Sequence, residues 1–138
     1  MTKKDDTNHL IWEVADGKWV KTRHDKPYPL FDLEDISWLF GYEFETVLTT
    51  FNHLSEDDEH LNSTFLTDDE GVYCTILIPM LLCRVSVMDG MTLPEESLDY
   101  VGGCGHVVEQ TMPDADIYLT LMTGIADHFI QKAFNKGK

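Results

Sequence analysis

Apolar and polar positions along the chain alternate, cluster and repeat so as to divide it into elements. In "LIWEVADGKWVKT" (10–22), apolar Ile11 and Val14 precede Asp16-Gly17, and Trp19 and Val20 follow. The pattern predicts a β-hairpin with a type I′ turn, because Asp-Gly tolerates positive φ at both turn positions. "DKPYPLF" (25–31) holds two prolines and reads as an extended connector. Leu33–Phe40 and Phe44–Leu54 read as two short helices around Gly41, and "SEDDE" (55–59) as a polar turn or helix end. "STFL" (63–66) and "VYCTILI" (72–78) read as a second hairpin around "TDDEG", with Gly71 at a positive φ. The second of these strands is nearly all apolar and therefore expected to be buried.

Beyond Pro79, "MLLCRVSVM" fits a buried helix or a strand, and periodicity does not choose between them. "LPEESLDYV" (93–101) predicts a helix, with Pro94 in its first turn and two glutamates against its N-terminal dipole. "GGCG" (102–105) is expected to break it. A last helix follows in "DADIYLTLMTGIADHFIQKAFNKGK". Tyr118, Met122, Ile125, Ala126, Phe129 and Ala133 form its apolar stripe, with Asp114 and Asp116 at its start and Lys132 and Lys136 at its end. Two hairpins and several helices without βαβ alternation predict an α+β fold. The length suits a single domain over 1–138, with a flexible end at 1–9 and a helical remainder from 79 to 138.

The stretch "FDLEDISWLFGYEFETVLTTF" (31–51) has the spacing of a helix-turn-helix. Ile36, Ser37, Phe40, Gly41 and Val47 supply the apolar, small and glycine positions that such a corner needs. Its second helix turns Glu43, Glu45, Thr46, Thr49, Thr50 and Asn52 outward. Two glutamates at that helix start repel phosphates, and no residue there pairs with guanine as arginine does.

Charge sharpens this picture. The chain carries 25 Asp+Glu against 10 Lys+Arg, a formal net charge of −15. Six of the ten cations lie in the first 26 residues: Lys3, Lys4, Lys18, Lys21, Arg23 and Lys26. None lies between Pro27 and Cys83, which holds twelve acids, and none between Val85 and Gln131, which holds eight. Phosphate binding requires clustered cations, so direct nucleic-acid binding is not expected. An acidic surface instead suits the basic surface of a nucleic-acid-binding protein.

The run "FDLEDISWLFGY" resembles the opening of the BRO-N domain of phage antirepressors and baculovirus BRO proteins. Phe31, Asp35, Ile36, Ser37, Phe40, Gly41 and Tyr42 match its pattern in order. "HLSEDD" (53–58) is similar to that family's His-Val-acid segment, and "FLTDDEGVYCTIL" (65–77) to its Phe-Ile-Asn-Glu-Ser-Gly-Leu-Tyr strand, each with one extra residue. The resemblance covers roughly residues 12 to 78. Cations that the family often carries after its Gly-Tyr pair are absent, and its Trp-containing final helix is not recognisable. The resemblance implies a phage or mobile-element protein that inactivates a repressor or host defence complex. The missing cations turn that expectation from DNA reading toward mimicry of DNA.

Chemistry has few candidates. Cys74, Cys83, Cys104 and His106 are the conceivable zinc set, but only Cys104 and His106 are close in sequence, so core cysteines are the expectation. "GGCGH" also admits a nucleophilic cysteine with a nearby base. Glu95 and Asp99 fall on one helical face as a carboxylate pair. The other histidines show no metal spacing, and no phosphate loop or nucleophile elbow is present. The chain is therefore read as a binding protein without cofactor or catalytic residues, not an enzyme.

The expected contact region is Asp32, Glu34, Asp35, Glu43, Glu45, Glu56, Asp57, Asp58, Glu59, Asp68, Asp69 and Glu70. The alternatives are a DNA-binding regulator using the 33–54 helix pair, with the N-terminal lysines as phosphate clamps, and a small thiol-dependent enzyme at Cys104/His106. Three cysteines among apolar neighbours suit free thiols in a reducing compartment, and the cytoplasm is expected. The N-terminus lacks a secretory apolar region and no apolar run spans a bilayer, so no membrane partner is expected. The oligomeric state is open, a homodimer included.

Overall fold

The computed structural model describes residues 2–6, 9–24, 26–55, 65–69, 71–90 and 92–136, and of residues 2–6, 53–55, 68 and 133–136 the backbone alone. The architecture is α+β. The described strands are β1 (Thr2–Asp6), β2 (His9–Ala15), β3 (Lys18–Arg23), β4 (Leu30–Asp32), β5 (Phe65–Asp68) and β6 (Gly71–Cys74). They form one antiparallel sheet in the order β1-β2-β3-β4-β6-β5. The helices are α1 (Leu33–Leu39), α2 (Phe44–Ser55), α3 (Leu77–Met88), α4 (Pro94–Thr111) and α5 (Ala115–Lys136). α4 packs across β2 and against α3, and α5 lies against α3 and α4. Phe31, Leu33, Ile36, Phe40, Tyr73, Ile76, Leu77, Ile78 and Val107 are fully buried between these layers. The edge of one ring meets the face of the other at Phe40 and Tyr100, 5.6 Å between centroids.

Both predicted hairpins, the α1–α2 corner and the long last helix are present. Gly71 has φ 127°, as its turn requires, and Tyr118, Met122, Ile125, Ala126 and Phe129 pack into or against the core. Ala133 lies on α5 with only its backbone described.

Within the end expected to be flexible, Thr2–Asp6 pair with β2 and His9 is a buried strand residue. Three expectations are corrected. The β2–β3 turn is not type I′, because Gly17 has φ 72° while no described non-glycine residue has positive φ. Val14 forms a bulge there instead, since the register steps from Glu13↔Trp19 to Ala15↔Lys18, and the Glu13 carboxylate accepts the Gly17 N–H at 3.1 Å. The apolar run 72–78 leaves the sheet at Cys74, and Leu77–Met88 is helical, with Pro79 in the first turn where it needs no N–H. A segment buried on all sides shows no period, which is why strand and helix read alike.

The largest departure is "GGCG". It does not stop the helix: α4 runs unbroken from Pro94 to Thr111. A Cβ on Gly103 would lie 1.9 Å from the Val14 carbonyl oxygen. The glycine is thus demanded by the close crossing of α4 over the β2 bulge, not by a turn. Each helical glycine costs about 1 kcal/mol of propensity. The crossing offsets it by burying Tyr100, Cys104, Val107 and Val108.

Candidate functional site at the α1–α2 corner

Asp32 ends β4 and starts α1, its carboxylate accepting the Asp35 N–H at 3.1 Å as an N-cap. Ser37, fully buried, donates its hydroxyl to the Leu33 carbonyl at 2.7 Å. A larger side chain there would part α1 from its neighbours. Gly41, at φ 83°, reverses the chain, and Val47 from α2 closes the angle. The corner is tied to the α3–α4 loop by the Tyr42 hydroxyl donating to Asp89 at 2.9 Å and the Thr92 hydroxyl donating to the Phe40 carbonyl at 3.1 Å.

This geometry divides the expected contact residues. Asp32 and Asp35 are turned to the protein itself. The Asp35 carboxylate accepts the Lys21 N–H at 2.9 Å, and the Asp32 carboxylate lies 3.8 Å from Lys21 Nζ. Burial raises the Asp35 pKa; the Lys21 N–H opposes this and the Asp32 charge adds to it. Glu34, Glu43, Glu45 and Asp69 are exposed. So are Thr46, Thr49, Thr50 and Asn52, as the outward face of α2 predicts. Glu56, Asp57, Asp58, Glu59 and Glu70 lie outside the described residues, as does the Asp68 side chain.

The nearby cations point inward or across the corner. Lys21 and Arg23 lie over the Tyr73 ring, 5.9 and 5.2 Å from its centroid, and Arg23 is buried. Lys18 covers the indole of Trp38 at 4.7 Å. Arg84 pairs with Asp127 between α3 and α5. The Lys3 and Lys4 side chains lie outside the described residues. What this corner offers is therefore mainly carboxylate, hydroxyl and amide, with one large aromatic beside them, Trp38, 61% exposed and carrying the Lys18 ammonium over its ring. From the sequence, Trp38 with Tyr42 is the contact to consider should the acids only solubilise the chain; the cover that Lys18 gives Trp38 was not expected, because it depends on how β3 meets α1.

The thiol candidates separate. Cys104 is fully buried, and burial pushes its thiol up to about 12. His106, two residues on, points to the opposite side of α4, is 65% exposed and sits near Glu109. It lines an open depression of about 460 Å³ with Trp12, Glu13 and Gln110. A base cannot reach a thiol across the helix, and the thiolate is strongly disfavoured. Burial likewise raises Cys74 well above its ordinary range. Glu95 and Asp99 are exposed on α4. Among the described residues no three His, Cys, Asp or Glu side chains gather as a metal would need, and no helix is long and apolar enough to cross a membrane. Compared with protein-family models, characterised proteins and solved structures, the chain matches none.

Proposed function

We propose that the chain is a small acidic inhibitor of the phage or mobile-element kind. It docks through its α1–α2 corner on the basic, nucleic-acid-binding surface of a partner such as a repressor or a defence complex. One observation carries the reading: at the α1–α2 corner Glu34, Glu43 and Glu45 face solvent, while Arg23 is buried and Lys21 lies half-buried between Asp32 and the Tyr73 ring. Phosphates are repelled by such a face, whereas a surface of lysines and arginines evolved to grip phosphates is attracted to it. Threonines and Asn52 on α2 add neutral hydrogen-bonding groups, and Trp38 adds an aromatic anchor of the type that dominates interface energies.

The test is capture from host lysate on the immobilised chain, with mass spectrometry of what is retained at low and high salt. The proposal expects retained proteins to be nucleic-acid-binding and to be released by salt or by added duplex DNA. Retention that neither salt nor duplex disturbs contradicts it. Labelled duplex titrated with the chain near physiological salt should show no binding; a micromolar, salt-sensitive complex would favour the DNA-reading alternative.

A further inference from the structure

The exposed side of α5 carries two large apolar residues among polar ones such as Asp116, Thr120, Thr123 and His128. Tyr118, Met122, Ala126 and Phe129 turn to the core, while Ile117 is 73% exposed and Leu121, on the flank of that stripe, 57% exposed. Between them and His128 the surface dips over Gly124, where a Cβ would meet nothing within 4 Å. The depression, about 330 Å³, is lined by Thr120, Leu121, Gly124, Ile125 and His128.

We infer that this face pairs two copies of the chain, α5 against α5, antiparallel about Gly124. Charge selects the occupant. At 3.6 residues per turn, Lys132 lies about 80° to one side of Gly124 and roughly 12 Å toward the C-terminal end, and Asp114, in the turn just before α5, extrapolates to the same side roughly 15 Å toward the other end. A two-fold axis through the contact brings Asp114 of one copy within about 3 Å, along the axis, of Lys132 of the second, twice over. Both residues are exposed. The same operation sets Leu121 of each copy into the depression between Gly124 and His128 of the other, as a knob enters a hole. Glycine at the centre permits the close approach. Antiparallel helix dipoles agree with this arrangement, and a closed two-fold pair uses up the face. A single helix pair is small against standard interfaces, and a net charge of −15 on each copy opposes association, so the dimer is a weak one in the micromolar range.

Sedimentation equilibrium of the full chain over a wide concentration range tests this. A monomer–dimer equilibrium is expected. Leu121→Lys should weaken it at least tenfold, although it lowers the like-charge repulsion; Leu121 is exposed, so the fold should stand. Asp114→Lys and Lys132→Asp should each weaken dimerisation several-fold, and the double exchange should restore it to near the parent value, since the pair is then remade with its signs reversed. A strictly monomeric parent, a Leu121→Lys variant that dimerises like the parent, or a double exchange no better than the singles overturns the inference.

Discussion

The α4–β2 crossing and the α1–α2 corner each turn on one glycine, for different reasons, and the contrast separates what holds this molecule together from what it shows to a partner. At the crossing, Gly103 has no space for even a methyl group beside the Val14 carbonyl, and the residues around it are buried and apolar. At the corner, Gly41 is needed for its φ of 83°, and the segment it leads into buries Val47 and Phe51 while turning Glu43, Glu45 and three threonines to solvent. Charge in this second region is attached to an already fixed frame and can be altered with little structural consequence. Asp35 lies between the two cases: an acid of the corner that serves the frame.

The largest effect is expected at the crossing. Gly103→Ala should destabilise by about 3 kcal/mol, because the opposing atoms are backbone and cannot swing aside. Gly105→Ala, two residues on, meets nothing within 4 Å. It should stabilise by about 0.5–1 kcal/mol through helix propensity alone. Denaturant melts of the two variants decide this; equal changes would show that GGCG is not a packing device.

Asp35 gives the intermediate effect. Asp35→Ala leaves the Lys21 N–H without its partner and should cost about 1–2 kcal/mol, while Asp35→Asn, which can still accept that bond, should cost far less. The pH dependence has a definite sign. Because burial raises the folded pKa above the ordinary 3.8, the folded state holds its proton where the unfolded state has released it. The stability gained from that proton is fully present below 3.8 and is lost as pH rises through the raised folded value. Melting temperatures of the parent across that window should fall with rising pH relative to those of Asp35→Asn; a parallel course contradicts the assignment of Asp35 to the frame.

The smallest structural effect belongs to the exposed acids. Glu43→Gln with Glu45→Gln should change stability by no more than about 0.5 kcal/mol, slightly upward if relief of self-repulsion prevails. A large loss in thermal melts would mean that these carboxylates, like Asp35, serve the fold.

Much of this division is legible in the sequence. The corner is local: a capping Asp32, a small Ser37, Gly41 and apolar Ile36, Phe40 and Val47 lie within one short segment, and helix spacing tells which side of α2 faces out. What escaped was set by distant partners. That Asp35 would bond the Lys21 backbone, and that Lys21 and Arg23 would lie over Tyr73, depends on how β3, α1 and β6 meet. The glycines of α4 read as a helix stop because the Val14 bulge that requires Gly103 lies 89 residues earlier in the chain. Residues 75–78 read as strand because an entirely buried apolar run has no face to reveal its period.

The central claim is that exposed carboxylates at the corner guide the chain onto a basic partner. The most direct measurement is the association rate with the captured partner at two salt concentrations, for the parent and for a combined Glu34→Gln, Glu43→Gln, Glu45→Gln variant. The account predicts a variant at least tenfold weaker, roughly 1.4 kcal/mol, with most of the loss in the association rate and most of the difference erased at high salt. A variant that associates like the parent at both salt concentrations would contradict it and shift attention to Trp38 and Tyr42 as the contact.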